Sequence, residues 1–484
     1  MIHIRTLSFV AFCALTLASC SDYSRSDGNY ALEADKNADQ YKEYGENPFV
    51  LADTQSVSTF SVDADGGSYA NVKRFILDEN TLPPESAVRV EEFLNYFPMN
   101  YPDPNDQTPI ALNGEVSECP WNTSHRLIRI GIKGKTLPVL PPANWVLMVD
   151  VSGSMASEDK LELAKKGLVR FVNETMRSTD KLAVVTYAGA VNVALPSTFG
   201  NEKNKIIDAI ESLKSGGSTA GAAAIVQAYD IAIANKIENG NNRIIMITDG
   251  DFNVGISSTD ELVKLVEEKR DQGIFLSTIG LGRGNFNEQM MEQIANNGNG
   301  TFEYIGDEEQ AQKVFVTEFG KFYTVAKDVK VQVEFNPETV LKYRLIGYEN
   351  RLLAQNEFED DTKDAGEIGS GQNVTALYEI ELVPDAQLNQ RLFTVDFRYK
   401  NPDSDVSEPL TLQITNQNQS FNQASNNMRF AASVAAFGML LKKSQYSGDA
   451  TYEKVLNWLN NTTTYDPSNY RAKFINVVKK ASEL

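Results

Sequence analysis

Cysteine and histidine are scarce in this chain of 484 residues, which contains three cysteines and two histidines. Zinc sites usually draw several ligands from these two residue types, and a Ser-His-Asp triad needs a histidine as its base. Without the N-terminal leader described below, the chain keeps only Cys119 as a thiol and only His125 as a histidine. The mature chain therefore cannot form an internal disulfide. The single histidine, in the strand-like segment HRLIRIGI, is expected to be structural rather than catalytic.

Positively charged residues are also relatively few. The chain has 45 Lys and Arg residues and 65 Asp and Glu residues, which gives a net charge of −20. This balance argues against a general role in binding DNA, RNA or anionic lipid headgroups. The apolar content of 42% with 23% charged residues is typical of globular proteins. The length predicts two or three domains rather than a single core.

The N-terminus has the organisation of a secretory signal, with a cation at Arg5 and an apolar stretch from Leu7 to Leu17. This stretch is too short to span a membrane. The segment Leu17-Ala18-Ser19-Cys20 resembles the lipobox of bacterial lipoproteins, which implies that Cys20 becomes the lipidated first residue. The alternative is ordinary cleavage nearby, with Cys20 left as a thiol.

We therefore expect residues 1–20 to be a lipoprotein signal peptide. Residues 21–47 are polar and rich in Asp, Asn, Tyr and Ser, so we expect a flexible tether there. Together these segments predict a protein of the bacterial cell envelope. It would be held by a lipid at the periplasmic face of a membrane or at the cell surface.

Strand and helix patterns alternate in residues 139–326, and the strand segments are nearly continuous in apolar residues. Helices that cover both faces of a mostly parallel sheet produce this pattern, so we expect an open, doubly wound α/β domain. Residues 48–138 mix two helical patterns with strands, residues 327–426 are rich in β patterns, and residues 427–484 are helical. The β segments on the two sides could form one β-sandwich with the α/β domain inserted, because a shared sheet leaves fewer edges exposed.

Polar oxygens follow several strands of the predicted α/β sheet. Asp150, Ser152 and Ser154 come after the first strand, Thr219 lies in a glycine-rich loop before a helix, and Asp249 ends another strand. Ligands of doubly wound sheets bind beyond the carboxyl ends of the strands, where these loops could meet. Three hydroxyls and two carboxylates suit Mg²⁺, Mn²⁺ or Ca²⁺ better than zinc or copper. Two negative charges leave such a cation able to accept a carboxylate from a partner.

The pattern Asp150-Val-Ser152-Gly-Ser154, with Thr219 and Asp249, resembles the metal-ion-dependent adhesion site of von Willebrand factor type A (vWA) domains. The resemblance implies that the serines and the threonine bind the metal, while the aspartates act mainly through water. It also implies that a Glu or Asp of a protein partner completes the coordination. The flanking segments, including NPFVLADTQSVSTFSVDADGGSYANVKRFI and DVKVQVEFNPETVLKYRLIGYENRLL, are similar to YfbK-type bacterial lipoproteins.

Other interpretations explain less of this pattern. A helix cap would account for the oxygens near Asp150 but not for Thr219 and Asp249. A nucleophilic serine would lack a histidine base in the α/β domain. We therefore expect a non-enzymatic binding protein for an acidic residue of another protein, with no small-molecule substrate evident. Two alternatives are a metal-assisted hydrolase with Asp249 or Asp251 as base, and a rigid module of an envelope assembly that binds through residues 427–484.

Overall fold

The computed structural model describes residue 39 and residues 41–62, 65–105, 107–217, 221–250, 259–270, 272–283, 286–363 and 365–484. The strands in these ranges are β1 (Val50–Leu51), β2 (Val57–Ser61), β3 (Ile110–Glu118), β4 (Arg126–Gly134), β5 (Ala143–Asp150), β6 (Lys181–Tyr187), β7 (Val191–Phe199), β8 (Asn241–Thr248), β9 (Phe275–Leu281), β10 (Phe302–Ile305), β11 (Thr324–Phe335), β12 (Val340–Ile346), β13 (Gly366–Gly369), β14 (Asn373–Leu382), β15 (Arg391–Lys400) and β16 (Ser407–Thr415). The helices are α1 (Gly67–Leu77), α2 (Val90–Tyr96), α3 (Leu163–Arg170), α4 (Lys203–Glu211), α5 (Gly221–Ala234), α6 (Thr259–Arg270), α7 (Glu288–Asn297), α8 (Glu308–Gln312), α9 (Asn426–Leu441), α10 (Tyr452–Trp458) and α11 (Tyr470–Ala481).

The central sheet has the strand order β10-β9-β8-β5-β6-β7. All its neighbouring strands are parallel except β6 and β7. Every residue of β5 is buried, because helices cover both faces of the sheet. Val146 and Met148 pack towards α5 and α7, while Leu147 and Val149 pack in the core that contains α3 and α4. The predicted doubly wound, mostly parallel sheet is confirmed.

The β segments before and after this domain form one β-sandwich, as predicted. In the first sheet, β14 pairs with β4 and β12, so strands from both sides of the insertion lie next to each other. In the second sheet, β11 pairs with β2 and β15. A single apolar core between the two sheets includes Ile130, Val331 and Ile380. The α/β domain is thus inserted between β4 and β11.

The terminal helices pack against the central domain instead of forming a separate unit. Helices α1, α2, α9 and α11 share one core with the sheet face that carries Val146 and Met148. The ring of Phe97 lies 5.0 Å from that of Phe430 in α9 and 5.2 Å from that of Phe474 in α11. The C-terminal region is helical, as predicted. Nowhere in the described ranges is a helix both long enough and apolar enough to cross a bilayer.

His125 has the structural role expected from the sequence. Its Nδ1 atom lies 2.6 Å from Oε1 of Glu379, whose Oε2 accepts hydrogen bonds from Trp121 Nε1 at 3.1 Å and Arg344 Nη2 at 3.2 Å. Although burial acts in the opposite direction, His125 and Arg344 hold the pKa of Glu379 below its usual value. Cys119 is fully buried next to this network, and burial raises the pKa of its thiol.

Candidate metal centre

The first loop of the candidate site follows β5, which ends at the fully buried Asp150. Its Oδ1 atom accepts a hydrogen bond from the backbone N–H of Ser152 at 2.8 Å. Its Oδ2 atom accepts one from Oγ1 of Thr248, at the end of β8, at 2.9 Å. The Asp150 carboxylate therefore fixes the turn after β5 and links it to the end of the neighbouring strand.

The two serines of this loop lie side by side. The Oγ atoms of Ser152 and Ser154 are 2.9 Å apart. Ser152 is buried, whereas Ser154 is half-buried and Gly153 between them is exposed. The loop therefore offers two adjacent hydroxyl oxygens near the protein surface, where both could contact one cation.

The glycine-rich loop lies beside these serines, although Thr219 itself is outside the described residues. The N–H of Gly216 donates to the carbonyl of Val151 at 2.7 Å, and the N–H of Gly153 donates to the carbonyl of Gly217 at 3.0 Å. These backbone hydrogen bonds hold the segment that leads to Thr219 against the loop after β5. The described residues thus bring together two of the three predicted loops.

The third loop begins at the fully buried Asp249, directly after β8. Its Oδ2 atom pairs with Nζ of Lys160 at 3.0 Å, and both side chains are buried. The Lys160 side chain lies against Gly282, where φ is +70° and a Cβ atom would overlap the lysine methylenes. Glycine at this position therefore permits a buried ammonium group next to Asp249, where it offsets part of the acidic charge.

Gly250 shapes the same loop. Its φ is +87°, and a Cβ atom there would lie only 2.7 Å from the backbone nitrogen of Asn287. A larger residue would therefore strain the backbone and push away the segment before α7. Asp251, considered above as a base of a hydrolase, lies outside the described residues.

The electrostatics of Asp150 differ from those of an ordinary surface carboxylate. Burial raises its pKa to about 6, and the charge of Asp249 acts in the same direction. Hydrogen bonds from Ser152 and Thr248 oppose this shift. Ionisation of Asp150 therefore costs more free energy in the protein than at an ordinary surface position, and a nearby cation would reduce this cost.

The donor atoms fit a hard divalent cation. In the described parts of the chain, no group of three or more His, Cys, Asp or Glu side chains is arranged to hold a metal. A metal would thus depend on the hydroxyls of Ser152 and Ser154 as well as on Asp150 and Asp249. Such oxygen donors match Mg²⁺, Mn²⁺ or Ca²⁺.

Two residues of the site were not singled out from the sequence. Thr248 precedes Asp249 and donates to Asp150, so its position at a strand end was an available signal. Lys160 lies in the helical turn Glu158–Glu162, where a lysine usually indicates a solvated surface. Its pairing with Asp249 depends on tertiary packing that the local sequence does not reveal.

Comparison with known proteins identifies the class. The family model described as von Willebrand factor type A domain matches residues 144–317, and one described as von Willebrand factor matches residues 35–129. A third, described as "Uncharacterized protein YfbK, C-terminal", matches residues 320–484. The protein therefore contains a vWA domain, a class that indicates protein interaction and that commonly binds a divalent cation.

The flanking regions define the family more closely. The chain is 39% identical over 469 residues to the protein YfbK of Escherichia coli (strain K12), a match that covers 91% of this chain and 81% of YfbK. The chain belongs to the YfbK family. Inter-alpha-trypsin inhibitor heavy chain H3 from Homo sapiens is 29% identical over 169 residues, covering 33% of this chain and 18% of that protein. A solved structure of a von Willebrand factor type A protein from Catenulispora acidiphila covers 80% of this chain and 90% of its own, with 16% identity and a TM-score of 0.45.

Proposed function

We propose that this protein is a lipid-anchored binding protein of the cell envelope. Its vWA domain would hold a divalent cation, with Mg²⁺ as the first candidate, and dock an acidic residue of a protein partner. The proposed ligands are Ser152, Ser154 and Thr219, with Asp150 and Asp249 as supporting acids. The observation that carries the proposal is the pair of serine hydroxyls, 2.9 Å apart, beside two fully buried carboxylates.

The charges of the site support docking of a carboxylate. Lys160 already offsets part of the charge of Asp249, and Ser152 and Ser154 are neutral. When bound, the cation supplies a positive centre to which a carboxylate oxygen can coordinate. The half-buried Ser154 and exposed Gly153 leave this centre accessible to a side chain of another protein.

A binding role is favoured over hydrolysis. The sole histidine of the described residues, His125, lies in the sandwich next to Glu379 and is not part of the vWA domain. Asp249 is paired with Lys160, which lowers its value as a general base. No activity is therefore assigned to the site.

The first experiment compares thermal unfolding with MgCl₂ and with EDTA. A cation at ten times its Kd should stabilise the folded protein by about 1.4 kcal/mol. Ser152→Ala should lose this response because it removes one proposed ligand. Ser157→Ala is the matched control, because Ser157 is exposed in the same loop and makes no capping hydrogen bond.

The second experiment captures partners from an envelope extract on the immobilised protein. Partners should be retained in Mg²⁺, released by EDTA and absent from the Ser152→Ala column. If neither stability nor capture responds to EDTA or to this substitution, the metal-dependent docking is wrong. The anchor is tested separately, since Cys20→Ser should move the protein out of the membrane fraction.

A further inference from the structure

A cavity of about 790 Å³ lies at the edge of the central sheet that is opposite to the metal centre. Its lining includes Pro141 just before β5, residues 236–242 at the start of β8, Phe275 at the start of β9 and Asn299 before β10. The sandwich closes it from the other side. We call it the amino-edge cleft. The eight residues of β8 separate it from the metal centre by about 25 Å, at 3.3 Å per residue.

Cations line this cleft in a chain that is otherwise acidic. They are Lys135, Lys236, Arg270 and Lys327. In the ranges that the structure describes, the ammonium group of Lys135 makes no hydrogen bond or ion pair. That of Lys236 donates to the backbone carbonyl of Gln272. The cleft therefore holds positive charge that carboxylates of the protein do not fully neutralise.

The acidic residues of the lining are all exposed. Glu238, Asp403 and Asp405 are exposed, as is Lys236, whereas Lys135 and Lys327 are half-buried. Asp405 reaches Nζ of Lys327 at 3.5 Å, but its side chain is 98% exposed. Such an exposed pair contributes little and can be exchanged for a carboxylate of a ligand.

Apolar side chains border the same cleft. Val139 in its lining is 81% exposed. Pro141 and Ile237 continue this apolar surface within the cleft. Exposed apolar groups beside cations favour a ligand that combines carboxylates with apolar side chains.

We propose that the amino-edge cleft binds an acidic polypeptide segment that also carries apolar residues. The cations would pair with its carboxylates, and its apolar side chains would cover Val139. A small inorganic anion would satisfy the cations but leave this valine exposed. The cavity volume is in the range of ligand sites, which often lie between domains.

The test measures fluorescence anisotropy of the labelled pentapeptide Glu-Leu-Glu-Leu-Glu, with Gln-Leu-Gln-Leu-Gln as the neutral control. The acidic peptide should bind despite the net charge of −20, and its binding should weaken as salt screens the cations. The neutral peptide should not bind. Lys135→Gln with Lys327→Gln should weaken binding about tenfold, because two charged contacts are lost. Lys203→Gln with Lys480→Gln, two lysines outside the cleft, should leave it unchanged.

A second variant tests the apolar border without touching charge. Val139→Ser should weaken binding of the acidic peptide and leave folding intact, because this side chain is largely exposed. Inorganic phosphate should compete only weakly. Three results would each overturn the proposal. They are equal binding of both peptides, unchanged binding in the two cleft variants, and displacement of the peptide by phosphate at the same concentration. Ser152→Ala should bind the peptide normally, so this result is independent of the metal centre.

Discussion

Two buried carboxylates, Glu379 in the sandwich and Asp150 at the end of β5, are surrounded in opposite ways. Glu379 contacts His125, Trp121 and Arg344, and its pKa lies below the usual value. Asp150 accepts hydrogen bonds from an amide and a hydroxyl, forms no ion pair within the described ranges, and has a pKa raised to about 6. The fold itself neutralises the first carboxylate. The second is neutralised incompletely, and this is the group to which we assign a supporting role for a cation.

The largest effect should come from removing the compensated carboxylate. Glu379→Ala leaves the buried groups of Arg344 and Trp121 without their acceptor, so the free energy of unfolding should fall by about 3–5 kcal/mol. Urea denaturation measures this change. Glu381→Ala, two residues further along β14, is the control and should cost about 1 kcal/mol or less, because its side chain is 34% exposed. If Glu379→Ala and Glu381→Ala lost the same free energy of unfolding, Glu379 would not be the compensated buried carboxylate described above.

The next effect concerns Lys160, the ammonium group that lies beside Asp249 at the candidate metal centre. Lys160→Met removes the ion pair with Asp249 and should destabilise the protein in EDTA by about 3 kcal/mol. Mg²⁺ should then restore more stability than in the wild type, because Asp249 has lost its ammonium partner. Lys165→Met, which breaks the more exposed pair with Glu162, is the control. A weaker Mg²⁺ response in Lys160→Met would show that this lysine supports the metal site.

The two carboxylates should respond to pH in opposite directions. Asp150 has a raised pKa, so the folded protein binds its proton more tightly between about pH 4 and 6, and stability from this group is lost as pH rises through 6. Glu379 has a lowered pKa, so its contribution is present above the unfolded value and is lost as pH falls through the folded one.

Asp150→Asn tests this difference in EDTA. At pH 7 the variant should be at least as stable as the wild type. Its advantage in free energy of unfolding should shrink by on the order of 2 kcal/mol between pH 7 and pH 4. It should also lose the Mg²⁺ response. In the wild type, Mg²⁺ should stabilise more at pH 7.5 than at pH 5.5, since the cation needs an ionised Asp150. Chemical denaturation at several pH values measures both effects, and a loss of stability at pH 7 in EDTA would argue against the interpretation.

The last prediction, with the smallest consequence for stability, concerns the reactivity of the Cys119 thiol beside Glu379. Burial raises the pKa of Cys119 and blocks access to it, so alkylation by iodoacetamide should be far slower in the folded protein than in urea. A chain that begins at Ser21 has no other cysteine, so mass spectrometry reports this residue alone. Rapid modification of the folded protein would mean that the sandwich opens near Glu379.

The sequence predicts the central domain well because its signals are local. The apolar run before Asp150 predicts a buried strand, which is confirmed, and β14 has the bounds that its pattern indicates. Asp150, Ser152 and Asp249 follow the carboxyl ends of β5 and β8, where their order along the chain placed them, and their role in binding a metal stays a prediction. Lys160 could not be predicted in the same way, because nothing near it in the chain distinguishes a buried partner of Asp249 from a surface lysine.

Long-range packing explains what else was missed. The amino-edge cleft is built from loops that are distant in sequence, such as those around Lys135, Lys236 and Lys327. The helical pattern of residues 427–484 predicted helices but not their shared core with α1, α2 and the central sheet. Helix α9 belongs to this core, since it is buried along almost its whole length, and binding through residues 427–484 stays an untested alternative.

The insertion of the vWA domain also has a consequence for how the protein folds. Strand β4 ends at Gly134 and β11 begins at Thr324, yet a Cβ atom on Gly134 would lie 3.3 Å from the side chain of Val325. Closing a long unstructured loop costs conformational entropy. The sandwich strands on either side therefore pair at a low entropic cost only after the inserted domain has brought these ends together. The vWA domain should therefore fold first and serve as the nucleus on which the sandwich is completed.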